Sequence, residues 1–400
     1  MAETAKKTIS PGVVTLGWVS FLSDVASDMI YPLLPDFLTR TLGAGPATLG
    51  LIEGVAESTA SFMKLASGWW SDRIRRRKPI VVLGYSIAAV ARPLVGLASS
   101  WAQVLAIRFS DRVGKGIRTS PRDALLADLT PSESRGRAFG LQRAMDNAGA
   151  LVGPLLAFLL LRFWIHEERT VFLLALVPGL AAVLLLLWRV PEAARRLPPV
   201  RQGPSPARDR LPRAFWLAIA IFILFTLANS TDAFLLLRAR DTGVPLWELP
   251  LLWGFFNGVK AAAGVPGGIL ADRIGRAGTI SLGWLIYAIS YFGFALAGRP
   301  IAVWSLFALY GLFFGLTEGA ERALIADLVP ADLRGRAFGI FHASVGLAAL
   351  PASVLFGLWW RFFGPRVAFS IGAALALAAT VALLVARKKI VRQVALFQGI

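Results

Sequence analysis

Residues 127–140 read ADLTPSESRGRAFG, and residues 326–339 read ADLVPADLRGRAFG. The two copies lie about 200 residues apart in a chain of 400. A second pair keeps nearly the same interval: Gly68-Trp69-Trp70-Ser71-Asp72-Arg73 returns as Gly268-Ile269-Leu270-Ala271-Asp272-Arg273. Two motifs repeated at half the chain length read as a duplication of the whole chain. The sequence between the copies is apolar. Hydrophobic residues make up 56% and charged residues 16%, with a mean hydropathy of +0.63. A soluble protein of this size needs more charge to cover its surface; a bilayer is the solvent that accepts such a chain. The fold class expected is all-α integral membrane, with about twelve transmembrane helices in two pseudo-symmetric six-helix bundles.

The spans read as Pro11–Thr41, Thr48–Ser71, Pro79–Ser99, Trp101–Leu125, Gly136–Arg162, Thr170–Trp188, Arg213–Arg238, Trp247–Ala271, Gly278–Ala297, Ile301–Ala326, Gly335–Trp360 and Pro365–Ala386. Each is near the ~20 residues that a helix needs to cross. The domains expected are an N-terminal six-helix bundle (1–188), a Pro- and Arg-rich cytoplasmic linker (189–212), a C-terminal six-helix bundle (213–386) and a cytoplasmic tail (387–400). The closing ALFQG resembles a viral-protease tag remnant and is set aside.

The net charge is +18. Its placement points to topology rather than to nucleic acid. Roughly 25 Lys and Arg fall in alternate loops and termini, against roughly 8 in the intervening ones, the asymmetry of the positive-inside rule. An even number of spans then puts both termini in the cytoplasm, and no cleavable signal is visible. There is no cysteine and there are two histidines, so neither a disulfide framework nor a thiolate metal site is expected. No nucleophile–base pair stands at usable spacing, so the chain does not read as an enzyme, and no cofactor is expected.

The repeated loop is similar to the G-x-x-x-D-R-x-G-R-R motif of the major facilitator superfamily, and the resemblance runs the full length of the chain. The first copy carries Gly68, Asp72 and Arg73, with Arg75 where the family has glycine. The second carries Gly268, Asp272, Arg273 and Gly275. In this reading the aspartate meets the positive end of a helix dipole in one access state and leaves it in the other, forming a conformational latch. Span four reads Arg112-Val113-Gly114-Lys115-Gly116 against the R-x-x-Q-G of the superfamily's antiporters. Span five carries Gly140, Gly149, Gly153 and Pro154 at the spacing of their glycine–proline motif, with Ala157 and Phe158 in place of its last two glycines. The resemblance implies an exporter-type hinge there; close helix packing is the plainer reading. It further implies a secondary transporter of the proton-coupled drug or metabolite exporter type, in a bacterial inner membrane, working by alternating access as a monomer.

Ionisable residues form stripes inside the spans. Asp24, Asp28 and Tyr31 share one face of span one. Span two has Glu53, Glu57 and Lys64. Span four has Arg108, Asp111, Arg112, Lys115 and Arg118. Arg143, Asp146 and Asn147 lie in span five, Asn229 and Asp232 in span seven, Asn257 and Lys260 in span eight. A charge in mid-bilayer costs at least about 2.5–3.5 kcal/mol, so these faces line water or pair with each other. Counting ~1.5 Å per residue places Asp24, Glu57, Asp111, Arg112, Asp146, Asn257 and Lys260 near the midplane.

The proton-coupling residues expected are Asp24, Asp28 and Glu57, because a carboxylate held out of water can load and release a proton. The substrate-binding residues expected are Arg112, Asp146, Asn147, Asn257, Lys260 and Asp232. Glu318, Glu321 and Arg322 lie nearer the cytoplasm and read as a gate. An alternative is a divalent metal or siderophore exporter using Asp24, Asp28 and His342; a membrane sensor is a further rival. Arg92 and His166 carry no clear signal.

Overall fold

A computed structural model describes residues 10–71, 76–131, 134–192, 211–330 and 333–398. Among the described residues the chain forms twelve long helical spans. They are α1 (Pro11–Thr41), α2 (Pro46–Ser71), α3 (Lys78–Leu97), α4 (Trp101–Asp128), α5 (Arg135–Phe163), α6 (Glu168–Arg189), α7 (Arg213–Asp241), α8 (Leu249–Ile274), α9 (Arg276–Leu296), α10 (Pro300–Asp327), α11 (334–363) and α12 (365–398). Gly364, at φ +81°, parts the last two and is followed by Pro365, a positive-φ break that favours glycine. α12 runs past Ala386 to Gln398. Most of the linker, 193–210, lies outside the described residues.

Eight continuous stretches are long and apolar enough to cross a bilayer, the last of them, Arg334–Ile390, being two helices. The three spans that fall short of that standard are α2, α4 and α8, which carry polar stripes. Large apolar side chains such as Leu97, Val177, Ile301, Leu347 and Val385 stand exposed on the helices, as a lipid solvent requires.

The chain packs as two compact units. Unit 1 holds Met1–Phe37, Thr59–Val200 and Trp247–Gly254. Unit 2 holds Leu38–Ser58, Arg201–Leu246 and Phe255–Ile400. In unit 1, Val13, Leu16 and Val19 of α1 pack with Val81 and Tyr85 of α3, Leu125 of α4, Ala138 of α5 and Leu186 of α6. The core of unit 2 is aromatic: Trp284, Tyr287, Tyr291 and Phe294 of α9 lie against Phe225 of α7, Tyr310 and Phe313 of α10, and Phe356 and Phe369 of α11 and α12. The first half of α2 is built into unit 2, where Ser58 Oγ donates to Gly346 O at 2.7 Å.

The duplication is visible in equivalent packing 199 residues apart. Gly84 lets α3 touch α4 at Gly114 and Arg118; Gly283 lets α9 touch α10 at Phe313 and Thr317. Gly116 brings α4 onto α2 at Met63, and Gly315 brings α10 onto α8 at Ala263. In each repeat the Ala-Asp-Leu motif also pairs with an arginine at the start of the third helix. Arg77 Nη1 reaches Asp128 Oδ2 at 2.6 Å in unit 1, and Arg276 Nε reaches Asp327 Oδ2 at 3.5 Å in unit 2. The aspartate of each Ala-Asp-Leu copy thus anchors the start of the third helix of its own repeat.

Candidate functional site

In unit 1 the polar chemistry lies where α1 meets α3, α4 and α5. Asp24 and Asp28 are held there by glycine. A Cβ on Gly149 would fall 2.6 Å from Phe21 O and 3.0 Å from Asp24 Cβ. A Cβ on Gly153 would fall 2.6 Å from Val25 O and 3.2 Å from Asp28 Cβ. Two glycines of the span-five motif therefore seat α5 directly behind the two aspartates, and α5 stays one continuous helix through Pro154. Gly140 has open space around it.

Facing them is a buried ionic cluster. Arg92 Nε donates to Asp111 Oδ1 at 2.8 Å, while its Nη1 donates to Ser23 O at 2.7 Å and Ser23 Oγ at 3.1 Å. Arg118 Nη1 donates to the same Ser23 Oγ at 2.6 Å and lies over the Tyr85 ring. Arg108 and Arg112 approach Asp111 Oδ2 at 3.6 and 3.9 Å. Arg92, Arg108, Asp111, Arg112 and Arg118 are all buried. One carboxylate thus answers several guanidiniums, and Nε of Arg112 has no hydrogen-bond partner. The charges acting on Asp24 are Asp146, Arg118, Asp28 and Lys115; those acting on Asp28 are Lys115, Arg92 and Arg112.

The α4 stripe is not uniform: Lys115 is exposed where its neighbours are buried. Asp146 accepts from Gln142 Nε2 at 3.0 Å and pairs with Arg122 at 3.7 Å. Asn147 and Arg143 are exposed. Asp28 also accepts a hydrogen bond from Trp253 Nε1 at 2.9 Å.

Unit 2 has a second polar cluster, at a break in α7. The helix stops at Ala228 and resumes at Ala233. Three buried tyrosines hold the open turn. Tyr287 Oη donates to Ala228 O at 2.8 Å, Tyr291 Oη and Ser230 Oγ share a hydrogen bond at 3.0 Å, and Tyr310 Oη donates to Asp232 Oδ1 at 2.5 Å. A broken span exposes backbone groups that need such partners. The charges acting on Asp232 include Lys260, Glu57 and Glu53. Asn257 lies one turn before Lys260 on α8. Lys260 Nζ sits 3.5 Å from Glu318 Oε2 and 4.6 Å from the Phe314 ring centroid. Glu318 also binds Arg322 at 2.9 Å, and Glu321 accepts from Trp284 Nε1 at 3.1 Å. His342 packs against Phe338 and Phe341. Among the described residues no group of three or more His, Asp or Glu side chains is gathered as a metal site.

Of the loop motif, Asp72, Arg73 and Arg75 lie outside the described residues. In the second copy Asp272 accepts from Arg276 Nη1 at 2.5 Å, and Gly275 takes φ +86°. That angle favours glycine and gives the motif's last glycine its physical reason.

Sequence reasoning passed over Arg92, which the structure makes the main partner of Asp111. The signal was available, since an arginine inside an apolar span needs a counter-charge. Trp253, Trp284, Tyr287, Tyr291 and Tyr310 were also passed over, because aromatic residues at helical spacing read as core.

The family model of the Major Facilitator Superfamily matches residues 16–318 and 251–396. The chain belongs to the Major Facilitator Superfamily. An uncharacterized transporter of this superfamily from Methanocaldococcus jannaschii is 34% identical over 386 residues, covering 93% of this chain and 94% of its own. The multidrug resistance protein MdtH of Salmonella arizonae is 24% identical, covering 84% and 82%. Among solved structures, that of a POT family transporter in complex with a thioalcohol-conjugated peptide aligns with a TM-score of 0.80 at 13% identity, covering 95% of this chain and 96% of its own. The protein is thus a multi-pass membrane transporter of a small-molecule substrate, with the superfamily's two-bundle helical fold.

Proposed function

We propose that this Major Facilitator Superfamily member exports a small solute by proton antiport, through alternating access. The observation that carries the reading is the placement of Asp24 and Asp28. Two carboxylates on one helix face are pressed against glycines of α5 and lie within the influence of Arg92, Arg112, Lys115 and Arg118. Taking up a proton at either aspartate changes the charge balance of the whole buried cluster, so proton loading favours one packing over another. Glu57 is a third candidate for coupling. The similarity to a multidrug resistance protein supports export.

In this reading Arg112 and Lys260 hold an anionic or zwitterionic group of the solute, with Asp146, Asn147, Asn257 and Asp232 contributing polar contacts. Gly68, Asp72 and Arg73, with Gly268, Asp272 and Arg273, form the latch, and Gly140, Gly149, Gly153 and Pro154 the hinge. Glu318, Glu321 and Arg322 form the gate. The bundles are 1–188 and 213–386, with both termini cytoplasmic in a bacterial inner membrane and the monomer as the working unit.

The test is a thermal-shift screen of metabolites, drugs and dyes, followed by flux of each stabilising compound in proteoliposomes. Flux that follows an imposed pH gradient supports antiport; flux indifferent to the gradient rejects it.

A further inference from the structure

The first turns of α8 belong to unit 1, although the sequence places them in the second repeat. Three contacts seat them. Trp247 packs against Phe158 and Arg162 of α5, with ring centroids 5.9 Å apart and the guanidinium 5.6 Å from the ring. Gly254 lies against Leu151 and Pro154 of α5. Between them, buried Trp253 packs on the Tyr31 ring at 4.9 Å and donates its indole N–H to Asp28 Oδ1. Two of these contacts are non-polar or carry a fixed charge. The third ends on a titratable carboxylate.

We propose that Trp253 is the positioning residue through which the charge on Asp28 holds the first turns of α8 in unit 1, and that proton loading of Asp28 loosens this hold. The inference rests on the proton-coupled reading of Asp28. The step is a simple protonation: a proton from water joins the carboxylate, its charge goes from minus one to zero, and no bond of the protein breaks. The hydrogen bond then changes from charge-assisted to neutral. Charge-assisted bonds are roughly twice as strong as neutral ones.

Charged groups surround Asp28 from three helices. Asp24 shares α1, Arg92 stands on α3, and Arg112 and Lys115 stand on α4. From α5 the side facing Asp28 is Gly153, and Asp146 acts on Asp24. In the proposed cycle the bond from Trp253 to the charged carboxylate is the seated condition, and protonation weakens it. An aromatic without a donor would fill the same space and lose the link.

The chain has no cysteine, so two introduced thiols are the only labelling sites. Spin labels at Leu97→Cys and Glu248→Cys, on α3 and on the turn leading into α8, report the seating of α8 by pulsed EPR in nanodiscs, at pH values from 8 to 5. The expected result is one dominant distance at high pH and a second, several-fold more populated distance at low pH. Trp253→Phe, which keeps the ring and removes the N–H, is expected to show the second population at every pH. Asp28→Asn, a permanently neutral side chain, is expected to do the same and decides the matter if Trp253→Phe does not fold. A Trp253→Phe protein that keeps the parent's pH-dependent shift overturns the inference, as does an Asp28→Asn protein that stays at the single high-pH distance. Gradient-driven flux in proteoliposomes is measured alongside. Intact proton coupling with an unchanged EPR response rejects the role of Trp253 alone; lost coupling in the parent rejects the proton reading itself.

Discussion

Arg92 and Asp111 form a buried ion pair at 2.8 Å that ties α3 to α4, and Arg92 also carries the backbone and hydroxyl oxygens of Ser23 on α1. One guanidinium therefore joins three helices of unit 1. Breaking a buried pair by removing one partner costs about 3–5 kcal/mol where the other charge is stranded; Arg108 and Arg112 near Asp111 make the cost here smaller than that. Arg92→Met is expected to lower the unfolding temperature in detergent markedly. Replacing both partners, Arg92→Met with Asp111→Leu, is expected to recover part of that loss. Intrinsic tryptophan fluorescence on heating measures both.

The glycines of α5 divide by their surroundings. Gly149 and Gly153 touch the backbone of α1, whereas Gly140 has open space. Gly149→Ala and Gly153→Ala are each expected to destabilise by about 1–3 kcal/mol, the usual cost of overpacking, and to reduce transport by displacing Asp24 and Asp28. Gly140→Ala is expected to leave thermal stability within error of the parent. Equal losses at all three positions would contradict this division.

Tyr310 supplies the hydrogen bond to Asp232 at the break in α7. Tyr310→Phe keeps the ring in its aromatic setting and removes only the donor. The expected cost is about 1–3 kcal/mol for a half-buried acceptor left short of a partner. Hydrogen exchange of the backbone around residues 228–233 is expected to speed up, with little change in helices that do not touch this turn.

At Gly275 the backbone takes φ +86° and ψ 153°, a region open essentially to glycine. Gly275→Ala is expected to destabilise the α8–α9 turn by about 1–3 kcal/mol. Faster proteolysis or exchange confined to this turn checks it.

The fold was largely legible because lipid allows so few solutions. The span expected at Pro11–Thr41 is the span observed, and most other ends moved by only a few residues. The exception is α12, which continues for a further twelve residues to Gln398; hydrophobicity marks where a span leaves the bilayer, not where a helix rich in good helix formers stops. The aspartates of α1 and the cations of α4 were legible as well, since charges inside a span stand out. The partners that fix them were not. Trp253 reaches Asp28 across 225 positions, and Tyr310 reaches Asp232 across 78. No periodicity links such pairs, and each aromatic reads alone as packing. Arg92 stands alone in the apolar sequence of α3, because its counter-charge, Asp111, lies on the next helix.

The central claim is that Asp24 and Asp28 couple solute movement to protons. It is tested most directly by comparing gradient-driven transport with solute exchange at equal pH, in proteoliposomes of the parent, Asp24→Asn and Asp28→Asn. The account predicts that an imposed pH gradient drives net transport in the parent, and that each variant loses the gradient-driven component while the parent's solute still exchanges. Gradient-driven transport that survives in both variants would contradict it.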